Sequence, residues 1–403
     1  MYSRKRVLFV TWDGPQTNYL ENLFFPIFSQ LKEWDFHVLQ FSWAKQDKPQ
    51  ELMHLARTLG IHYTHIPSQR WPHPLVGTVF TLRKGIQKLK AYIDRHRIDI
   101  LMPRSTFPAI MAQAIKRKQP QLKVVFDADG LPLEERVDFG GLNPQGLQYQ
   151  YLKQKERQML QLADRVLVRS NHAIVHHLQR IGEQHKGKFY RVSNGRNEQF
   201  FNLNSELRED CRKKLGLGDK DLLVVYTGSL GPQYGVDTMM QVFSAIRQQC
   251  LHSKFLVLTG NPAYLNDRLP QSLLTHVKVV SGPYNQIPVW LNAADLAFAF
   301  RQPLPSMKAV APIKLGEYLM MGLPTIASKG IGDAEGLLQG KTFVHLFDHQ
   351  QPDNIKIAAA WAMSRGAIDK TSIRQFALQH FSLNKSKEDY QTALKGLFRT
   401  DEA

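Results

Sequence analysis

Short apolar runs recur along the chain, each followed by a stretch with helical spacing. In the first half they are Arg6–Thr11, His37–Ser42, Ile98–Met102, Lys123–Asp127 and Arg165–Arg169. In the second half they are Leu222–Thr227, Phe255–Gly260, Val277–Ser281, Leu296–Phe300 and Leu323–Ser328. Runs without strict alternation belong to strands buried on both faces, so helices alternating with them predict a parallel sheet covered on both sides. A helix is expected near Leu20–Trp34. A second, over 79–97, carries Leu82, Ile86, Leu89 and Ile93 at helical spacing, with Arg83, Lys84, Lys88, Lys90, Arg95 and Arg97 around the rest. Residues 202–221 are polar and read as a linker with a short helix, after which the strand pattern restarts. The fold class is α/β, with two doubly wound Rossmann-like domains facing a central cleft, and ligands are expected at the carboxyl ends of the strands. The expected boundaries are 1–201 and 202–375, with a final helix in 376–403 packing back towards the N-terminal domain.

Composition narrows the class. A length of 403 residues with 43% hydrophobic positions is enough for two ordinary cores and excludes a disordered or fibrous chain. The two cysteines, Cys211 and Cys250, are not expected to form a disulfide framework or a four-ligand zinc site. No apolar run is long enough to cross a membrane, and the basic start Met1–Arg6 leads into a run too short for a signal peptide. The expected location is the cytoplasm. Charge is lopsided: residues 1–200 hold 30 Lys and Arg against 17 Asp and Glu, whereas residues 201–403 hold 22 against 18. The first half therefore faces something anionic. The aromatic loop Arg70-Trp-Pro-His-Pro-Leu75 and the basic helix after it suggest a peripheral contact with anionic headgroups on the inner face of the membrane. A nucleic-acid reading is disfavoured because aromatic residues are not interleaved with the basic ones.

Chemistry concentrates in Ala311-Pro-Ile-Lys-Leu-Gly-Glu-Tyr-Leu-Met-Met-Gly-Leu-Pro-Thr-Ile-Ala-Ser328. Lys314–Met321 reads as a helix stopped by Gly322. Glu317 can accept ribose hydroxyls, and the amides at the helix start, beside Lys314, suit a phosphate. A plain capped helix with solvated Glu and Lys would account for the spacing equally well. Gly228, Gly231 and Gly235 after a strand allow backbone amides to approach a diphosphate, or mark a simple turn. Asp127-Ala-Asp129 spells the D-x-D of metal-dependent transferases, but it lies far along the chain from the nucleotide elements, and no metal is expected.

The segment around Glu317 resembles the P-x-K-x-x-E-Y-x-x-x-G-x-P signature of GT-B glycosyltransferases, specifically the retaining family 4 group. Leu162–Ser170, Val192–Phe201, Tyr226–Asp237 and Val280–Asp295 resemble further family stretches in the right order. The resemblance implies a glycosyltransferase of hexosyltransferase type. It would move a sugar from a nucleotide diphosphate sugar, UDP- or GDP-linked, to a hydroxyl of a saccharide or lipid-linked acceptor, in polysaccharide or glycoconjugate biosynthesis and without a cofactor. It implies donor contacts at Gly14, Gly228, Ser229, Gly260, Tyr284, Lys308, Pro312, Ile313, Leu315 and Glu317. Asp129, Glu135, Arg301 and Lys314 become candidate catalytic residues, and Asp127 and Arg136 candidate acceptor contacts. The chain departs from the family at Ser229 and Tyr234, where loop cations are usual, and at Ala309, where a glutamate is common. Arg301, Lys308 and Lys314 are the cations available to the diphosphate instead. A nucleotide-sugar epimerase or hydrolase of the same fold, and a non-catalytic scaffold, are the alternatives.

Overall fold

The computed structural model describes residues 4–15, 17–44, 47–218, 220–364 and 368–398. They form two compact units, one of Met1–Asn194 with Ser386–Ala403 and one of Gly195–Lys385.

The first unit is built on a parallel sheet of β1 (Lys5–Asp13), β2 (Trp34–Ser42), β3 (His62–Pro67), β4 (Ile100–Pro103), β5 (Lys123–Asp129), β6 (Arg165–Val168) and β7 (Phe189–Arg191). Their spatial order is β3-β2-β1-β4-β5-β6-β7. Val7–Val10 of the interior strand β1 are wholly buried, as strands covered on both faces should be. The helical stretch after β1 is shorter than the spacing predicts. It ends at Gln30, and Trp34 already pairs with Lys5 as the first residue of β2. The C-terminal segment completes this unit. Tyr390 meets the Phe28 ring edge-on at 6.2 Å, and the Asp389 carboxylate accepts from the Ser193 amide at 2.9 Å.

The helix Pro74–His96 begins earlier than expected and is turned relative to the expected apolar face. Its buried seam is Gly77, Thr81, Gly85, Leu89 and Ile93, while Leu82 and Ile86 lie at the seam's margin, half-buried. The two glycines explain the rotation. A Cβ at Gly77 would stand 2.3 Å from the Gln69 carbonyl oxygen, and one at Gly85 2.6 Å from Met111 Sδ. Close approach of the backbone, rather than bulk of the side chains, chooses the inward face.

The second unit carries β8 (Leu222–Thr227), β9 (Ser253–Leu258), β10 (Val277–Val280), β11 (Leu296–Ala299), β12 (Thr325–Ser328) and β13 (Val344–Phe347), all parallel, in the order β10-β9-β8-β11-β12-β13. Three strands that the sequence pattern does not announce, β3, β7 and β13, are all sheet edges. Their sequences HYTHIP, FYR and VHLF carry polar residues because an edge is only partly covered. In each sheet the strand order reverses direction at one point, between β1 and β4 and between β8 and β11. Crevices form outside the carboxyl ends of strands at such points. Among the described residues no helix is long and apolar enough to cross a membrane.

Candidate active site

In the second unit the helix Ile313–Met320 begins beside the β8/β11 switch point. Lys314, Glu317 and Tyr318 fall at i, i+3 and i+4, so they share one face. Tyr318 fixes the register of that face: its hydroxyl accepts from the Thr227 amide, at the end of β8, at 2.8 Å. Gly316 leaves room on the opposite side, where an added Cβ would stand 3.0 Å from Phe381.

Lys314 Nζ donates to the Tyr226 hydroxyl, which in turn donates to the Ser229 carbonyl at 2.6 Å. Nζ also stands over the rings of Tyr226 and Tyr234, at 4.1 and 4.0 Å from their centroids. Arg301, one residue past Phe300 at the end of the β11 segment, also lies over the Tyr234 ring, 5.0 Å from its centroid. Gly228 closes the arrangement. It sits at φ 112°, a left-handed conformation, and a Cβ there would meet Lys314 Cε at 2.6 Å. Burial drives the Lys314 amine well below the usual lysine range, and the Arg301 charge pushes in the same direction, with Glu317 opposing. Two cations gathered beneath a glycine turn disfavour each other's charge, and an anion between them would relieve that cost.

Glu317, only 4% exposed, accepts from the Tyr284 hydroxyl at 3.2 Å and lies 3.8 Å from Arg196 Nε. Burial pushes the Glu317 pKa above the usual carboxylate range, and the Arg196 charge and the Tyr284 hydrogen bond only partly oppose it. Arg196 is itself pinned by backbone: its amide donates to the Phe381 carbonyl at 2.8 Å, and its carbonyl accepts from the Leu383 amide at 2.9 Å. Tyr284 stacks on Phe200 at 5.3 Å, so an aromatic wall stands beside the carboxylate. Of the other expected donor residues, Gly260 is exposed beyond β9, and Lys308 is exposed in the short turn Pro305–Ala309. Pro312 precedes the helix and Ile313 begins it, both half-buried. Leu315 turns into the hydrophobic core, leaving only its backbone towards any ligand. Ala309 is wholly buried.

In the first unit the carboxyl ends of β1, β4, β5 and β6 collect charge. Asp127 is fully buried and accepts from Arg169 at 2.8 Å. Burial disfavours the Arg169 charge, but Asp127, Tyr390 and Asp129 together more than offset it and hold the guanidinium above the ordinary arginine range. Asp129 adopts φ 61°, which turns its carboxylate towards Arg104 Nη2, while its amide donates to Asp127 at 3.0 Å. Arg104 also faces the Tyr19 ring, 5.0 Å from its centroid. Asp13, at the end of β1, accepts from Gln40 at 2.9 Å and from Thr11 at 3.0 Å, and Gly14 follows it, half-buried. Glu135 is half-buried in the helix Pro132–Gly140, and Arg136 is exposed. The structure thus brings Asp127 and Asp129 into one network, with Glu135 and Arg136 on the helix that follows. Arg104, Arg169 and Arg196 were not singled out from the sequence. Arg104 and Arg169 each stand just past an apolar run, and that position is the signal that would have found them, whereas Arg196 follows the polar stretch Ser193-Asn-Gly195 and carries no such signal.

Residues 221–364 match the family described as Glycosyl transferases group 1. That interval contains Gly228, Tyr234, Tyr284, Arg301, Lys314 and Glu317. No curated protein matches the chain in sequence. Solved structures of similar architecture include the Anabaena HepE protein in complex with UDP, at 16% identity and TM-score 0.72 over 96% of this chain and 99% of that one. Sucrose-phosphate synthase from Thermosynechococcus elongatus aligns at 16% identity and TM-score 0.71, covering 98% and 99% of the two chains. WaaG, a glycosyltransferase involved in lipopolysaccharide biosynthesis, aligns at 15% identity and TM-score 0.67, covering 97% and 100%. Both sheets, their switch points and this alignment along nearly the whole chain give the GT-B fold. With residues 221–364 similar to the group 1 glycosyl transferases within that fold, the protein is an enzyme of the glycosyltransferase class.

Proposed function

We propose that the enzyme transfers a sugar from a nucleoside diphosphate sugar to a hydroxyl of a lipid-linked or saccharide acceptor, with retention, in polysaccharide or glycoconjugate biosynthesis. The observation that carries this reading is the meeting of Lys314, Arg301 and Gly228 at the β8/β11 switch point, with Glu317 one helical turn away. Lys314 and Arg301 take the place of the loop cations absent at Ser229 and Tyr234. They neutralise the diphosphate as the bond from anomeric carbon to phosphate oxygen breaks and its electron pair leaves with the diphosphate. Glu317 receives the ribose hydroxyls, held in place by Tyr284 and Arg196. The HepE structures hold UDP and UDP-glucose, which favours a UDP-linked donor here. The acceptor hydroxyl oxygen forms the new bond to the anomeric carbon as its proton passes to the departing diphosphate oxygen, and Asp129 with its Arg104 partner is the candidate for gripping acceptor hydroxyls.

A lipid-linked acceptor is favoured by the helix Pro74–His96. Its outer face exposes Leu75, Val76, Val79 and Phe80, continues into Arg83, Lys84, Lys88 and Lys90, and is preceded by Trp71 at 85% exposure. Apolar side chains and a tryptophan beside a row of cations suit an anionic membrane surface on the cytoplasmic side. Cosedimentation with anionic vesicles, lost with neutral ones and in a Trp71→Ser/Phe80→Ser variant, is the expected result. Equal recovery in the supernatant throughout would leave the acceptor soluble. The transfer itself is tested by supplying UDP- and GDP-sugars with and without lipid extracts or oligosaccharides. Diphosphate release that needs the acceptor supports transfer, whereas acceptor-independent release would indicate the epimerase or hydrolase alternative.

A further inference from the structure

Far from the strand ends that carry the transferase residues, the opposite end of the first sheet holds a second cluster. Asp35 and His37 alternate near the start of β2, so their side chains share one face, and His62 opens β3 directly beside His37 in the parallel register. The two imidazoles stack at 4.4 Å between centroids. Their Nε2 atoms both turn to the same carboxylate: His37 Nε2 is 3.6 Å from Asp35 Oδ2, and His62 Nε2 is 3.6 Å from Oδ1. Among the described residues, these three offer nitrogen and oxygen donors that all lie within 4.8 Å of one another.

We propose that Asp35, His37 and His62 bind a divalent transition-metal ion of the zinc type. Zinc–nitrogen and zinc–oxygen bonds of about 2.0–2.2 Å set ligand atoms about 3.4 Å apart around a tetrahedron, close to the two 3.6 Å nitrogen–oxygen distances already present. Two neutral imidazoles with one carboxylate are borderline ligands that favour zinc, nickel or copper over magnesium or calcium. The state of His37 is the independent sign. Its side chain is 4% exposed, and the contact of Nε2 with Asp35 Oδ2, at 3.6 Å, is longer than a hydrogen bond, which leaves a buried polar atom poorly satisfied. Its other nitrogen, Nδ1, is 3.0 Å from the Tyr92 hydroxyl. A histidine ligand is oriented in this way, with one ring nitrogen anchored and the other left for the ion.

Arg6 competes for the site, with Nε 3.8 Å from Asp35 Oδ2, so the ion must draw the carboxylate away from the guanidinium. The three ligands leave room for a water as the fourth. Because β3 is the sheet edge, an ion here ties the edge strand to β2 and acts on stability, apart from sugar transfer.

The test uses the purified full-length chain stripped with a chelator, then titrated with zinc in competition with a chromophoric chelator, and with cobalt followed by visible absorption. One equivalent should bind, produce the intense visible bands of a low-coordinate cobalt site, and raise Tm by about 5 °C or more at a hundredfold excess over Kd. His62→Ala removes an exposed ligand without touching the core and should weaken binding at least tenfold, as should Asp35→Asn. His252→Ala, at another exposed histidine, should bind as the parent does. Absence of the cobalt bands in the parent chain, or affinity unchanged in His62→Ala, would overturn the proposal.

Discussion

Replacing Lys314 with Met separates a binding role from a structural one, because the two predict opposite changes. Nζ donates to Tyr226, stands 4.0 Å from the Tyr234 centroid, and has its amine driven well below the usual range by burial and by Arg301. The charged form is therefore held in the folded protein at a cost, partly offset by ring contacts worth about 0.5–2 kcal/mol. Methionine keeps the length of the stem and removes the cost along with the contacts. Stability should stay within about 1 kcal/mol of the parent. A diphosphate loses one charge-assisted hydrogen bond, about 1.5–3 kcal/mol, which lowers nucleoside diphosphate affinity about ten- to 150-fold. Urea unfolding and calorimetric titration on the same preparations give both numbers. Stability lost by several kcal/mol with affinity unchanged would make Lys314 a structural clamp and refute the reasoning.

The low Lys314 amine also sets a pH dependence. A bound diphosphate raises its pKa, so the protein takes up a proton on binding, and affinity falls as pH rises through the pKa of the free protein. Lys314→Met should lose that slope, which titrations across a pH series will show. Glu317→Gln keeps the Tyr284 contact but not the charge. Affinity for the nucleoside diphosphate should drop by about 1.5–3 kcal/mol, and an unchanged value in calorimetry removes Glu317 from the site. Gly228→Ala places a methyl 2.6 Å from Lys314 Cε at φ 112°, so a stability loss of about 1–3 kcal/mol and weaker diphosphate binding are expected. Arg169→Met strands the buried Asp127 carboxylate and should cost about 3–5 kcal/mol in urea unfolding, with much of it regained in Arg169→Met/Asp127→Leu.

The central strands were legible because burial on both faces leaves continuous apolar runs such as Val7–Val10 and Leu222–Thr227. The edges β3, β7 and β13 were not, because partial cover admits His62, Thr64, Arg191 and His345 into the pattern. The turn of the helix Pro74–His96 was misjudged because Gly77 and Gly85 read as neutral in a hydrophobic pattern, yet they mark the closest approach. Glu317 and Lys314 could be picked out from helical spacing and a motif. What holds them, Arg196 and the Tyr226–Tyr234 pair, comes from segments far along the chain, and one-dimensional spacing carries no trace of such neighbours. In the same way, Asp127 and Asp129 stood out in the sequence, while their partners Arg104 and Arg169 depended on strand order.

Calorimetric titration of the purified chain with UDP and with GDP tests the central claim most directly, that the β8/β11 switch point of the second unit receives a nucleoside diphosphate. The expected result is one site for at least one of them, weakened tenfold or more in both Lys314→Met and Arg301→Ala. No heat of binding for either nucleotide at millimolar concentration, or equal binding in both variants, would contradict it.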